Sequence, residues 1–279
     1  TEEQKEAFLE PLAAGEMLGC FALTEPEAGS DPAAIRTTAV RDGDDYILTG
    51  NKVFITSGTD ADVAIVFATV DRELRHKGIT AFIVPADTPG YSHGSHEYKL
   101  GVNASGTTEL AFAEMRIPVS QRLGEEGAGF KVAMSALDGG RLGIASQAVG
   151  IAQGAFEEAL EYSAQREQFG RPIGEFQAIQ FYLADMSTEI DAARLLTWKA
   201  AWAKGSGRRF SLEAAQAKLF ASEMAQRVTS KALQIHGGYG YIREYNVERY
   251  FRDARIAEIY EGTSEIQKMV ISNWVLQNT

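Results

Sequence analysis

Apolar and polar positions alternate in two different ways along this chain. From about Cys20 to Pro118, short β-branched and aromatic runs are broken by Gly, Asp and Pro. Tyr46-Ile47-Leu48-Thr49-Gly50, Lys52-Val53-Phe54-Ile55-Thr56, Val63 to Ala68 and Thr80 to Val84 each read as a strand, and Arg41-Asp42-Gly43-Asp44-Asp45 reads as a hairpin turn. Strands at this spacing predict a small barrel or sandwich. From about Gly129 the period lengthens to that of a helix. Ile179, Leu183, Met186, Ile190, Ala193 and Thr197 share one helical face, and Ile144, Ala148, Ile151, Ala155 and Ala159 share another. Ser211 is placed to cap a third helix that stops at Gly237-Gly238. Ser264 and Gln267 have capping-box spacing and open a fourth. The predicted class is α+β: a small all-β domain followed by a C-terminal antiparallel four-helix bundle. The expected division is 1–19, one further helix; 20–120, the β domain; and 121–279, the helical domain.

Composition narrows the function classes. The chain has 279 residues, 45% hydrophobic and 23% charged, with a net charge of −11 and a pI near 5.0. No Lys/Arg cluster offsets that charge, which argues against a nucleic-acid partner and against adhesion to anionic membranes. The single cysteine, Cys20, permits no intrachain disulfide and fits a reducing compartment, either bacterial cytoplasm or mitochondrial matrix. No run approaches the length of a membrane span. The histidines His93 and His96 sit three apart with only Glu97 nearby, a weak metal signal.

Six stretches could carry chemistry. Phe21-Ala22-Leu23-Thr24-Glu25-Pro26-Glu27-Ala28-Gly29-Ser30-Asp31 runs from a strand into a Pro- and Gly-containing loop. Its amides, with the Thr24 and Ser30 hydroxyls, could hold a polar ring edge and phosphates, or it is an ordinary corner. Phe54-Ile55-Thr56 puts an aromatic ring and a hydroxyl on one strand face, suited to a flat ring or simply to core packing. Asp138-Gly139-Gly140-Arg141 is read as a helix start, with Asp138 as cap and Arg141 available to an anion or to a surface ion pair. Arg166-Glu167-Gln168-Phe169-Gly170 follows a helix end, where an arginine could grip a diphosphate. Gln234-Ile235-His236-Gly237-Gly238 offers glycines for close backbone approach, with His236 packed or solvent-facing rather than catalytic. Last, Glu261 lies on a bend beside Ile259 and Tyr260, just outside a helix. In an apolar pocket its pKa would rise and poise it as a base next to a thioester carbonyl; the alternative is a solvated or capping glutamate.

Taken together, in this order, the motifs resemble the acyl-CoA dehydrogenase family from about Cys20 to the C-terminus. Thr-Glu-Pro-Glu-Ala-Gly-Ser-Asp, Leu-Asp-Gly-Gly-Arg-Leu-Gly-Ile-Ala and Ile-Tyr-Glu-Gly-Thr-Ser-Glu-Ile-Gln are most similar to short-chain (butyryl-CoA) members. The resemblance implies FAD as cofactor and α,β-dehydrogenation of an acyl-CoA, with Glu261 taking the α-proton and a hydride passing to flavin N5. It also implies electron transfer to electron-transferring flavoprotein and a homotetramer that shares the FAD site between subunits. By that resemblance Phe21, Ala22, Leu23, Thr24, Gly29, Ser30, Phe54, Ile55 and Thr56 hold the ring and nearby phosphates. Many relatives have Trp where this chain has Phe54. Arg166, Gln168, Phe169 and Gln177, with Gln234, Ile235, Gly237 and Gly238, match the ADP half of the FAD site. Thr263, Ser264 and Glu265 match the flavin-flanking turn. Ser30, Asp138, Arg141, Tyr260 and Gly262 match substrate contacts. Some branches, such as isovaleryl-CoA dehydrogenases, carry the catalytic Glu at the position of Gly140; with Gly there and Glu261 present, the base is expected at Glu261. The family's N-terminal helical domain, which helps wall the acyl pocket, is expected to be represented here only by residues 1–19, as a residual helix of it or a linker from it; the rest is expected to have been cleaved, to come from another chain, or to be missing because this is a fragment. An acyl-CoA oxidase-like flavoenzyme and a partner-dependent or non-catalytic subunit are the alternative functions.

Overall fold

The computed structural model describes residues 1–277, which divide into two compact units. The first comprises Thr1–Lys99 and Asn103–Ser135; the second comprises Leu100–Val102 and Ala136–Thr279.

The first unit opens with a helical stretch in which α1 (Glu2–Gln4) and α2 (Glu10–Ala14) are joined by a π turn, Lys5–Leu9. It ends at Gly15, whose φ of 75° suits the left-handed closing position. Next come β1 (Gly19–Ala22), β2 (Thr38–Asp42), β3 (Asp45–Thr56), β4 (Val63–Thr69), β5 (Ile79–Pro85), β6 (Tyr91–His93), β7 (Thr107–Pro118) and β8 (Arg122–Leu123). They form one mixed eight-stranded sheet in the order β6-β7-β3-β2-β4-β5-β8, with β1 parallel to β4. The expected hairpin joins β2 to β3, with Asp42 opposite Asp45 and Gly43 at φ 63°. Tyr46 to Gly50 and Lys52 to Thr56 are one strand rather than two. Gly50 does not end it, but marks a register shift against β7. A Cβ on Gly50 would stand 2.5 Å from Thr37 Oγ1, so a glycine lets these chains meet. Buried Tyr46, Leu48, Ile55, Val66, Phe82, Leu110, Met115 and Ile117 make the core on which the sheet rests.

The second unit holds α3 (Gly129–Gln165, of which residues from 136 belong to this unit), a small ribbon of β9 (Glu167–Gln168) and β10 (Arg171–Pro172), α4 (Gln177–Gly205), α5 (Ser211–His236), α6 (Val247–Arg255) and α7 (Ser264–Gln277). The facing residues are small. Ala145, Ala148, Ala152, Ala155 and Ala159 on α3, and Ala217, Ala221, Ala225 and Ala232 on α5, are buried together with Met186, Ile190 and Met224. Side chains of this size let helix axes approach closely.

Four local expectations are corrected. Ser211 does not cap α5: it is the first helical residue, Phe210 precedes it without a side-chain cap, and the Ser211 hydroxyl instead donates to Asp138 Oδ2 at 2.6 Å. Asp138 caps nothing, because α3 has already begun at Gly129. The Ser264–Gln267 capping box is not formed. Ser264 Oγ is buried without a hydrogen-bond partner, and Thr263 Oγ1 takes the capping role by accepting from Ile266 N at 3.4 Å. Finally, α6 was not expected; its sequence is dominated by charge, and buried Val247 and Ala254, with Tyr250 packed beside them, tie it to the core.

Candidate functional site

Glu261 sits in the turn between the 3-10 turn Ile256–Glu258 and α7, with left-handed backbone at φ 54°, followed by Gly262 at φ 85°. A non-glycine residue pays for that conformation, so something must hold it. Two buried side chains do. Gln267 Nε2 donates to Gly262 O at 2.8 Å and to Glu261 O at 3.2 Å, and Lys218 Nζ donates to Gly262 O at 2.6 Å. The carboxylate itself lies over α3 at Gly140, where an added Cβ would be 2.4 Å from Glu261 Oε2. The carboxylate can hold this position only over a glycine at that point on α3.

The surroundings of Glu261 are less apolar than the sequence implied. Ile259 is exposed, whereas Tyr260 is half-buried and its hydroxyl donates to Gln147 Oε1. Burial pushes the Tyr260 hydroxyl up to about 12, and the Glu261 charge acts in the same direction. Burial also raises the Glu261 carboxyl above the ordinary value, against the opposing charges of Arg141 and Lys218. Desolvation outweighs both cations, which leaves a carboxylate more basic than one in water. Arg141 is itself buried. It donates through Nη1 to Asp138 Oδ1 at 2.9 Å, so the Asp138–Arg141 pair is real but internal to α3 rather than on the surface. Its Nε is buried without a partner. Such an orphan donor costs about 1–3 kcal/mol unless a ligand or water satisfies it. Lys218 and Gln147 did not stand out in the sequence, and Gln267 was read only as a capping-box partner. Lys218 is wholly buried on the Ala-rich face of α5, and a lysine inside an apolar helical stripe was the available signal.

A second group of the expected residues meets elsewhere in the helical unit. Arg166, Gln168, Ile235, Gly237 and Gly238 line one pocket of about 450 Å³ together with Tyr162, His236 and Tyr239. Arg166 lies 5.4 Å over the Tyr239 ring. His236 is buried and stacks on Tyr162 at 4.2 Å; burial lowers its pKa, although its Nδ1 lies 2.9 Å from Ala232 O. It is packed rather than solvent-facing. Added side chains at Gly237 and Gly238 would meet nothing within 4 Å, so the backbone there is open to a ligand. Phe169 (φ 54°), Gln177 and Gln234 are not among the pocket-lining residues; Phe169 projects from the β9–β10 turn and is 95% exposed.

In the β unit the first two motifs are neighbours. Thr24 O accepts from Val53 N at 2.9 Å, so the loop after β1 runs along β3. Beneath it Lys52 Nζ donates to Glu25 Oε1 at 2.7 Å and to Leu23 O at 3.1 Å, with both charges buried. Burial would raise the Glu25 carboxyl, but Lys52 and the Thr37 and Arg36 amides hold it below the ordinary value. On the other side of β3, Phe54 and Thr56 are exposed while Ile55 is buried. Phe54 reaches that face through a left-handed bulge at φ 58°. Left-handed backbone thus recurs at Phe54, Phe169 and Glu261, all of them singled out by the motifs. Among the described residues no cluster of His, Cys, Asp or Glu could hold a metal ion, and no helix is long and apolar enough to cross a membrane.

The comparisons with known proteins agree with this layout. Residues 20–115 match the model of the acyl-CoA dehydrogenase middle domain, and residues 127–276 match that of the acyl-CoA dehydrogenase C-terminal domain. The chain belongs to the acyl-CoA dehydrogenase family, enzymes that are flavoprotein oxidoreductases of fatty acid oxidation. Within it, the similarity is to short-chain members. The chain is 52% identical over 277 residues to the short-chain specific acyl-CoA dehydrogenase of Clostridium acetobutylicum, covering 99% of this chain and 73% of that protein. The structure of butyryl-CoA dehydrogenase from Megasphaera elsdenii superimposes with a TM-score of 0.98 at 52% identity, over 99% of this chain and 72% of that one. A chain from a structure of the electron transferring flavoprotein of Acidaminococcus fermentans, concerned with flavin-based electron bifurcation, also reaches 0.98, at 51% identity, over 99% of this chain and 73% of that one.

Proposed function

We propose that this chain carries out FAD-dependent α,β-dehydrogenation of a short-chain acyl-CoA to the trans-2-enoyl-CoA, with Glu261 as the base. The observation that carries the reading is the Glu261 turn: a half-buried carboxylate of raised proton affinity, on a left-handed bend braced by two buried donors, over a glycine that leaves it room. A thioester α-proton is weakly acidic, so a base more proton-hungry than an ordinary carboxylate suits its removal.

The residues present fit the cofactor. Arg166 and the open Gly237–Gly238 backbone suit the diphosphate half. The exposed Phe54 ring and Thr56 hydroxyl, beside the loop that Lys52 and Glu25 pin, suit the flat ring. In this reading residues 20–120 and 121–279 are two domains, each carrying residues of a kind suited to FAD. FAD, when bound, supplies the acceptor for the β-hydride. Glu261 holds the α-proton after abstraction, and its backbone N–H polarises the thioester carbonyl as an oxyanion donor would. The orphaned Arg141 Nε and the neighbouring Tyr260 and Gly262 face the substrate. Electrons then leave through electron-transferring flavoprotein, a partner consistent with the similarity to a chain from the Acidaminococcus fermentans structure. The working form is a homotetramer, with FAD shared between subunits.

The test is an anaerobic titration of FAD-loaded protein with butyryl-CoA, read by flavin absorbance beside Glu261→Gln. Bleaching in the parent and none in the variant is the expected result. Equal bleaching in both would remove Glu261 from the role of base.

A further inference from the structure

We propose that Lys218 is a positioning residue for the reaction: its buried ammonium clamps the Gly262 carbonyl and, with Arg141, holds the Glu261 carboxylate ionised in its left-handed turn. This rests on Glu261 being the base.

The geometry carries the first half. Lys218 is 0% exposed on α5, and its Nζ reaches 2.6 Å to the carbonyl one residue beyond Glu261. With a backbone φ of 54° at Glu261 and 85° at Gly262, that carbonyl meets side chains of α5 and α7, which must satisfy it. Gln267 already donates to the same oxygen at 2.8 Å from α7. A second, neutral donor would have sufficed to satisfy a carbonyl. Placing a full charge there instead is expensive, because an isolated buried ammonium is retained only where charges compensate it.

The compensation carries the second half. Three carboxylates act on Lys218: Glu258 from the preceding 3-10 turn, Glu261 from the bend itself and Glu265 from the first turn of α7. Arg141 of α3 opposes them by like-charge repulsion. Burial outweighs the three carboxylates, and the ammonium is held down to about 8. Seen from Glu261, the same two cations, Arg141 and Lys218, are the charges that resist the effect of burial. Arg141 is shared with Asp138 at 2.9 Å, so part of its charge is already engaged, whereas among the described residues the Lys218 ammonium is held by the Gly262 carbonyl rather than by a carboxylate at ion-pair distance. Removing the positive charge at 218 therefore makes ionised Glu261 less favourable. Its proton affinity rises further, and more alkaline solution is needed to free the base.

Two variants separate charge from clamp. Lys218→Met keeps length and removes the charge. Gln267→Met removes only the neutral donor. Rates of anaerobic flavin bleaching by butyryl-CoA are measured against pH in the FAD-loaded parent, both variants and Glu261→Gln. The expected result is no bleaching in Glu261→Gln, and an acidic limb moved up by ~1 pH unit in Lys218→Met, roughly tenfold slower on that side. In Gln267→Met the limb stays at the parent's position, with a lower plateau. If Glu261→Gln bleaches like the parent, the base is misassigned. If Glu261→Gln is silent and Lys218→Met keeps the parent's limb, Lys218 has no part in setting the base, and the proposal falls. A second readout needs neither the Lys218 variant nor turnover. The Glu261 carboxyl carbon, labelled with ¹³C and assigned through Glu261→Gln, should shift twice on titration: once for its own proton, and again near pH 8 as Lys218 loses its proton. A single inflection would overturn the proposal even if Lys218→Met failed to fold.

Discussion

Gly140 is where two opposing effects can be weighed at one residue. A glycine inside a helix costs about 0.5–1 kcal/mol relative to alanine. Gly140 lies well within α3, so Gly140→Ala should favour the helix. The same methyl would stand 2.4 Å from Glu261 Oε2 and 2.7 Å from its carboxyl carbon. Those atoms end a flexible side chain, so the carboxylate would move before the helix did. The expected outcome is therefore a thermal midpoint equal to or above the parent's, with butyryl-CoA turnover lower by tenfold or more, since displacing a catalytic group by an ångström costs on the order of 100-fold. Loss of stability together with activity would show that the helix, not the side chain, yields. The residue scale is also where the sequence was most legible. Glu261 on a bend beside a glycine, and the upward direction of its proton affinity, could be read from the sequence, but the two cations that oppose burial could not, because they come from α3 and α5, 120 and 43 residues earlier.

The element that brings the β unit's candidate residues together is β3. Its inward side chain Lys52 reaches under the preceding loop to Glu25, and its outward Phe54 and Thr56 lie on the opposite side of buried Ile55. Removing one partner from a buried ion pair leaves an uncompensated charge, which costs about 3–5 kcal/mol. Lys52→Met should therefore destabilise the fold by that amount, read as a lower urea midpoint, and weaken FAD retention, whereas the double variant with Glu25→Leu should recover much of the stability. The sign with pH follows from Glu25. Its folded proton affinity lies below the ordinary value of 4.5, so the pair stabilises the fold above that pH and its contribution is lost as pH falls through the folded value. The parent should lose stability on acidification through that window, and Lys52→Met should lose less there. Alternation marked Lys52 as part of a strand; nothing in a local window could pair it with a glutamate 27 residues upstream.

For the whole molecule, a ligand that binds only the folded state stabilises it by mass action. FAD at one hundred times its dissociation constant would add about 2.7 kcal/mol. In a thermal melt that amounts to several degrees for a protein of this size. Arg166→Ala should shrink the shift produced by a fixed FAD concentration while leaving the melt without FAD nearly unchanged, because Arg166 lies at a pocket rim and its visible contact is the Tyr239 ring. An undiminished shift would take Arg166 out of the flavin site. With a net charge of −11, the surface repels other anions. Local cations such as Arg166 are then what makes a diphosphate site possible on this molecule.

Period and punctuation along the chain were enough to determine its α+β order, the β2–β3 hairpin, the long helices and the turn that carries Glu261, because each depends on contacts between near neighbours. Motif order was enough to indicate the family. Tertiary structure alone decided the rest. It showed that Thr263 rather than Ser264 caps the last helix, that Asp138 lies inside α3 and is engaged with both Arg141 and Ser211, and that Lys52 and Lys218 are buried charges rather than surface ones. The physical reason is the same in each case. Burial and charge compensation act between side chains distant in sequence, and a buried lysine looks like any other until the carboxylates that face it have been brought into place.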